Sequence, residues 1–283
     1  MTVQALEQLS DLPGVGAVID AAREACTQLR WHPALRRRTE EARAETLVRA
    51  AQASAALSGA RLPVAVVREA VLGVVPWPDD AAGRTVAGAV RALAEADRLV
   101  ATWQRAPLQA LARLHVAAAS GLVPDDALGR PRLPGEQPGD GADLLDAAGV
   151  VVPAPDAPAV ASRLAGVVAL VAAPPSSPAL LVAAVVHAEL ATVRPFRAGN
   201  GVLARAACRM VVTGRGLDPT GVAVWESALG AIGPAYPLAL AGYAAGGADG
   251  VAHWLRTFGR AVVDGAEQGR LVCDAVLAGR FPS

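Results

Sequence analysis

Lysine is absent from the 283 residues, so every strongly basic side chain is arginine, and asparagine occurs once, as Asn200. A GC-rich genome that favours Ala, Arg, Gly, Val and Pro codons accounts for both shortages without a functional cause. Aromatic residues make up only 4% of the chain, too few for a platform on which single-stranded bases stack. No excess charge of either sign exists, because 26 basic and 26 acidic residues cancel. That balance argues against nucleic acid and anionic membrane as general partners. Long apolar runs are also missing. The longest, 164–173 and 179–186, end at Pro174-Pro175 and at His187, short of the ~20 residues that span a bilayer. The first sixteen residues carry Glu7 and Asp11 without a basic stretch ahead of an apolar one, unlike a signal peptide. Cys26, Cys208 and Cys273 are odd in number and widely spaced, which fits neither a zinc site nor a disulfide framework. They read as small buried hydrophobes. What is present is a 53% hydrophobic, 18% charged composition, enough apolar material for one large or two small folded domains. The expectation is a soluble, cytoplasmic protein.

Helical periodicity recurs from end to end. Over 85–103, Val86, Val90, Leu93 and Val100 share one face, with Arg91, Glu95 and Arg98 outside. The arginine-, glutamate- and alanine-rich stretch Leu35–Leu57 has no Gly or Pro and reads as one long helix ending near Gly59. Further helices are expected over 63–72, 108–120, 159–172, 177–192, 201–213, 222–228 and 234–245, with a last pair running to Leu277. The stretch 121–158 is crowded with Gly, Pro and Asp and reads as a loop or small hairpin, with 149–152 as a short strand. The expected class is all-α, eight or more helices with one irregular insertion.

The segment 187–209, HAELATVRPFRAGNGVLARAACR, carries the chemistry. It reads as a buried helix, a loop, then Gly199-Asn200-Gly201 opening a second helix. Glycine on both sides of Asn200 permits positive φ and a close approach of ligand to backbone. The loop can therefore turn its N–H groups inward as a nest at a helix N-terminus, an anion site. Arg194, Arg197, Arg205 and Arg209 crowd the same stretch, and phosphate is the anion best matched to forked guanidinium donors. Gly-Asn-Gly before a helix is equally an ordinary glycine turn, and both readings stand on the residues alone.

Residues 194–205, RPFRAGNGVLAR, resemble without a gap the active-site motif of the Fic family (filamentation induced by cAMP). That motif is His-Pro-Phe, two residues of which the second is acidic, Gly-Asn-Gly-Arg, two residues, Arg. Other segments are similar to family features: Leu114-His115, Gly129-Arg130, Pro174-Pro175-Ser176, His187, and the tail Tyr236, Tyr243 and 254–258, WLRTF. The resemblance covers most of residues 30–265. It implies a Fic-like helical domain over 106–265, an N-terminal helical extension over 1–105 and a C-terminal helix or tail over 266–283.

Most members of that family transfer AMP or another phosphate-linked group from a nucleotide to a protein hydroxyl. The resemblance implies phosphate or nucleotide binding at Phe196, Gly199, Asn200, Gly201 and Arg205. Arg194 stands where the motif histidine acts as general base, and a guanidinium does not accept that proton near neutral pH. Ala198 stands in place of the Mg²⁺-binding acid and offers no oxygen, so no metal site is expected. Val202 replaces the first motif arginine. Ser54-Ala55-Ala56-Leu57-Ser58-Gly59 is similar to the family's inhibitory helix, with Ser58 in place of the glutamate that pairs with the second motif arginine. Ser54 and Ser58 are thus candidate regulatory residues, and Ser58-Gly59 reads equally well as a plain helix end. Three functions follow: a pseudoenzyme keeping a phosphate nest for ATP or another nucleotide; an active nucleotidyltransferase with altered catalytic residues; or a helical scaffold for a target or partner protein. Helical faces of Ala and Leu permit an oligomer. His187, His115, His253 and His32 read as structural.

Overall fold

Where apolar residues recur three and four positions apart, the computed structural model places helices. It describes residues 3–139 and 144–280. The described residues form α1 (Val3–Ser10), α2 (Val15–Arg30), α3 (Thr39–Leu57), α4 (Val64–Val71), α5 (Ala81–Trp103), α6 (Pro107–Ala119), α7 (Ala157–Val171), α8 (Ala179–Val193), α9 (Asn200–Gly214), α10 (Trp225–Ala231), α11 (Ala235–Ala245) and α12 (Ala248–Leu277). Among them no strand forms, and the two β-bridges are isolated. The all-α expectation holds.

Helix α8 is apolar all round, and a helix of that kind has nowhere to go but the middle. Twelve of its fifteen residues are buried. α9 packs beside it, equally buried through Val202–Val212. Around this pair lie α5, α6 and α7 on one side and α10, α11 and α12 on another, with α3 closing over α9 and α10. One apolar cluster runs from Leu6 to Val276 and takes in helices on both sides of residue 105.

Three expectations change. The helix expected from Leu35 begins at Thr39, because Pro33–Arg36 form a separate 3₁₀ turn capped by the His32 ring, which accepts from the Ala34 N–H. The strand expected over 149–152 reduces to a bridge between Leu145 and Val151. There Asp146 Oδ1 accepts from the N–H groups of Ala148 and Val150 and Gly149 takes φ 77°, which makes a turn. The expected last pair of helices is a single one, α12, continuous through 265 and 266. Its Gly265 does not break it but admits a neighbour: a Cβ there would lie 2.5 Å from the backbone of Trp225. Helix α2 lies in the helical extension expected over 1–105, with Val15, Val18, Ile19, Ala22, Cys26 and Leu29 as its buried stripe.

Among the described residues no helix is long and apolar enough to cross a membrane. The three cysteines are free and buried.

Candidate functional site

The loop between the two central helices is shaped by its own side chains. Arg194 ends α8 in the left-handed region, φ 48° and ψ 64°, the only non-glycine residue among those described with positive φ. Its carbonyl accepts from Arg132 Nε at 2.8 Å, and its guanidinium donates to the Val152 carbonyl at 2.6 Å. Arg132 is itself buried and also reaches the carbonyls of Glu136, Pro155 and Val193. The irregular insertion thereby lies along the loop, with the N–H groups of Arg132 and Gly139 donating to the carbonyls of Pro195 and Arg197.

Asn200 closes the loop from inside. Its Oδ1 accepts from the Phe196 N–H and its Nδ2 donates to the Phe196 carbonyl, both at 2.8 Å. The side chain thus fixes the turn, and Asn200 and Gly201 both border the space beyond. Gly199 supplies the positive φ, 75°, with Ala118 and Ala119 of α6 against it. Gly201 is helical rather than left-handed, so only one of the two glycines is needed for the turn. Gly201 is required by space instead: a Cβ there would meet Ser58 Oγ at 2.9 Å and Arg205 Nη2 at 3.2 Å.

Phe196 points away from that space. It is buried, stacked on His115 at 4.0 Å between ring centres. His115 in turn accepts from the Gly129 N–H at Nδ1, 2.8 Å, and lies 3.1 Å from the Ala198 carbonyl at Nε2. Acceptance at Nδ1 requires the proton on Nε2, so the ring is neutral and clamps α6, the insertion and the loop together. Burial pushes its pKa down to about 4.

Arg205, one turn into α9, is 2% exposed. Its Nε donates to Ser54 Oγ (2.8 Å), its Nη2 to the Ser54 carbonyl (2.7 Å) and to Ser58 Oγ (2.6 Å), and its Nη1 to Tyr236 Oη (3.3 Å). All four acceptors are uncharged, and among the described residues no carboxylate pairs with it. A guanidinium has five N–H donors, which leaves one on Nη1. Tyr236 Oη also meets His187 Nε2 at 2.8 Å, and His187 is caged by Trp225, Trp254 and Phe258. Burial, then the charge of Arg205, hold the His187 pKa well below its ordinary value.

These groups wall a cavity of about 620 Å³. Ser58, Arg61, Arg194, Gly201, Arg205 and Tyr236 supply its polar side, and residues of α3, α8 and α11 such as Leu57, Ala191 and Leu240 the apolar one. The structure therefore brings Arg194, Asn200, Gly201, Arg205 and Ser58 to one space, with Ser54 just behind Arg205. Phe196 and Gly199 hold the loop and do not line it. The other two arginines of the segment turn elsewhere. Arg209 makes a buried two-pronged pair with Glu226, at 3.0 and 2.6 Å, and half-exposed Arg197 lies 4.0 Å from Glu136. Val202 faces the core. Arg61 and Tyr236 reach the cavity from outside the motif; the tail containing Tyr236 is similar to a family feature without implying a binding role, and no local pattern marks Arg61.

No family sequence model matches the chain, and no curated protein matches it in sequence. Its fold is similar to solved structures of Fic proteins. A Fic family protein from Desulfovibrio desulfuricans G20 aligns over 96% of this chain and 76% of its own, with a TM-score of 0.72 and 20% identity. Fic-1 from C. elegans aligns over 94% and 75%, with a TM-score of 0.61 and 19% identity. A Fic domain containing signaling protein from Bacteroides thetaiotaomicron aligns over 94% and 100%, with a TM-score of 0.60 and 11% identity. The chain has the Fic fold, as the motif at 194–205 led one to expect.

Proposed function

We propose that this Fic-fold protein is a pseudoenzyme that binds a phosphate-bearing ligand of nucleotide size in the cavity beside Arg205 and does not transfer it. The observation that carries the reading is Arg205 itself. A buried cation held only by neutral oxygens bears a desolvation penalty of several kcal/mol, and an anion in the cavity offsets it. The spare N–H on Nη1 is a donor for such an anion, beside the N-terminus of α9, which Gly201 brings to the cavity wall. The volume falls within the ~300–1,000 Å³ of small-molecule sites.

The same geometry argues against transfer. Arg194 is the residue in the place of the base, and it holds its proton. His187 does not line the cavity, and its suppressed pKa makes it a poor substitute. Loss of a general base alone costs ~10²–10⁴-fold in rate. The free, buried thiols agree with a reducing, cytoplasmic setting.

Calorimetric titration with ATP, AMP and pyrophosphate tests the binding. Wild-type protein is expected to bind at least one of them. Arg205→Leu should abolish that binding, and Gly201→Ala should weaken it by forcing Ser58 and Arg205 aside. Absence of binding to every phosphate compound, or binding indifferent to Arg205→Leu, overturns the proposal. Incubation with labelled ATP and Mg²⁺ should leave the protein unlabelled; stoichiometric incorporation overturns the pseudoenzyme half.

A further inference from the structure

Arginine has donors only, so in the contact between Arg205 Nη1 and Tyr236 Oη, 3.3 Å, the phenol oxygen is the acceptor. The same oxygen lies 2.8 Å from His187 Nε2. Both side chains are buried, so bulk water does not compete for either bond. One proton must lie between the phenol and the imidazole, and it has two sources. If the imidazole supplies it, Nε2–H donates to Tyr236, the phenol proton turns elsewhere, and Nδ1 is a bare lone pair. If the phenol supplies it, Tyr236 donates to Nε2 and the neutral ring carries its own proton on Nδ1.

Two observations favour the phenol. His187 Nδ1 is buried and has no hydrogen-bond partner among the described residues. Its surroundings are aromatic, with Trp254 and Phe258 meeting the imidazole edge to face at 5.1 and 5.7 Å and Trp225 tilted at 5.9 Å. The negative face of an aromatic ring attracts an N–H and repels a lone pair. The second observation is the cation. Arg205, on the phenol oxygen, draws the lone pairs toward itself and turns the O–H away, toward His187. Bonds that run head to tail, guanidinium to phenol to imidazole, polarise one another in the same sense.

We infer that His187 is a positioning residue for Arg205, acting through Tyr236 in a one-way chain: Arg205 Nη1–H to Tyr236 Oη, and Tyr236 O–H to His187 Nε2. The inference rests on the ligand reading above and adds what aims the guanidinium. Ser54 and Ser58 hold Nε and Nη2. Tyr236 takes one N–H of Nη1, which leaves the other for the ligand. A phenol whose proton is already given to His187 is an acceptor for the cation and no donor for a phosphate oxygen. Without His187 the phenol proton is released to rotate toward Arg205, and Nη1 loses its acceptor.

Nitrogen NMR of the full wild-type chain with ¹⁵N-labelled histidine reads the tautomer, with the His187→Gln spectrum identifying the resonances. Nδ1 of His187 should be protonated and Nε2 bare. A protonated Nε2 overturns the inference, whatever binds. Calorimetry with ATP, AMP and pyrophosphate reads the consequence. His187→Leu and Tyr236→Phe should each weaken binding about five- to ten-fold, the worth of one hydrogen bond. The double variant should bind no worse than Tyr236→Phe alone, because both changes remove the same contact. His187→Gln, whose Oε1 is an acceptor for the phenol proton, should restore most of the affinity. Losses that multiply in the double variant, or a His187→Leu protein less stable in urea yet binding as wild type does, reduce His187 to a core residue and overturn the inference. Failure of wild type to bind any of the three overturns the ligand reading, and the tautomer then decides the chain by itself.

Discussion

The ring of His115 offers a quantitative test of how the motif loop is held. It is buried and neutral, takes the Gly129 N–H at one nitrogen and faces the Ala198 carbonyl with the other. Its pKa lies at about 4 against an ordinary 6.5. A depressed histidine pKa means that the unfolded chain takes up the proton first as pH falls. The clamp therefore contributes its full stability above pH 6.5, loses it progressively between 6.5 and 4, and has lost all of it below 4. The separation amounts to about 3 kcal/mol in total, of which about 2 kcal/mol falls between pH 7 and pH 5. His187 is depressed in the same direction, so wild-type protein alone does not isolate the effect. His115→Gln does, because glutamine can offer an acceptor and a donor without titrating, and His187 is common to both proteins. Urea unfolding of the two at pH 7 and pH 5 should show wild type losing about 2 kcal/mol more than His115→Gln over that interval. Identical losses would refute the assignment of His115 as a neutral clamp.

Two further substitutions probe the arginines. Ser58→Glu puts a carboxylate where Ser58 Oγ now accepts from Arg205 at 2.6 Å; it should raise the melting temperature and reduce nucleotide affinity by more than ten-fold, and unchanged affinity would remove Arg205 from the site. Glu226→Gln leaves the buried Arg209 guanidinium without its counter-ion and should cost about 3–5 kcal/mol in urea unfolding, whereas Arg209→Met with Glu226→Leu should recover most of that loss. Equal losses in the single and double variants would show that the charge pair is not the source of the cost.

Much of the fold was legible because burial leaves a periodic trace. The stripe of α5 and the apolar run of α8 are both visible as spacing; α8 is buried as that requires, and in α5 Val86 and Leu93 are buried while Val90 and Val100 are half-buried. The misread segments are those where a local contact overrides periodicity. At residues 33–36 a histidine cap and a proline make a separate turn. In α12, expected as a pair of helices, Gly259, Gly265 and Gly269 serve as a close-packing face on one continuous helix. The site was legible only along the motif. Gly199, Asn200, Gly201 and Arg205 lie within seven residues of one another and could be read as a loop feeding a helix. Arg61 and Tyr236 reach the same cavity from α3's exit and from α11, and sequence separation hides them.

The sequence by itself determined that this is a helical protein with a Gly-Asn-Gly turn ahead of a buried arginine-bearing helix, and that neither a base nor an acid stands at the family's usual places. These are local facts, set by spacing and residue type. Only the tertiary structure decided what each side chain does. The lone asparagine pins its own loop, because its amide lies within reach of both backbone groups of Phe196. Of four neighbouring arginines, Arg209 pairs with Glu226, Arg197 lies near Glu136, Arg205 is held by Ser54, Ser58 and Tyr236, and Arg194 reaches the Val152 carbonyl. Charge composition sums to zero along the chain; folding alone determines which charges meet.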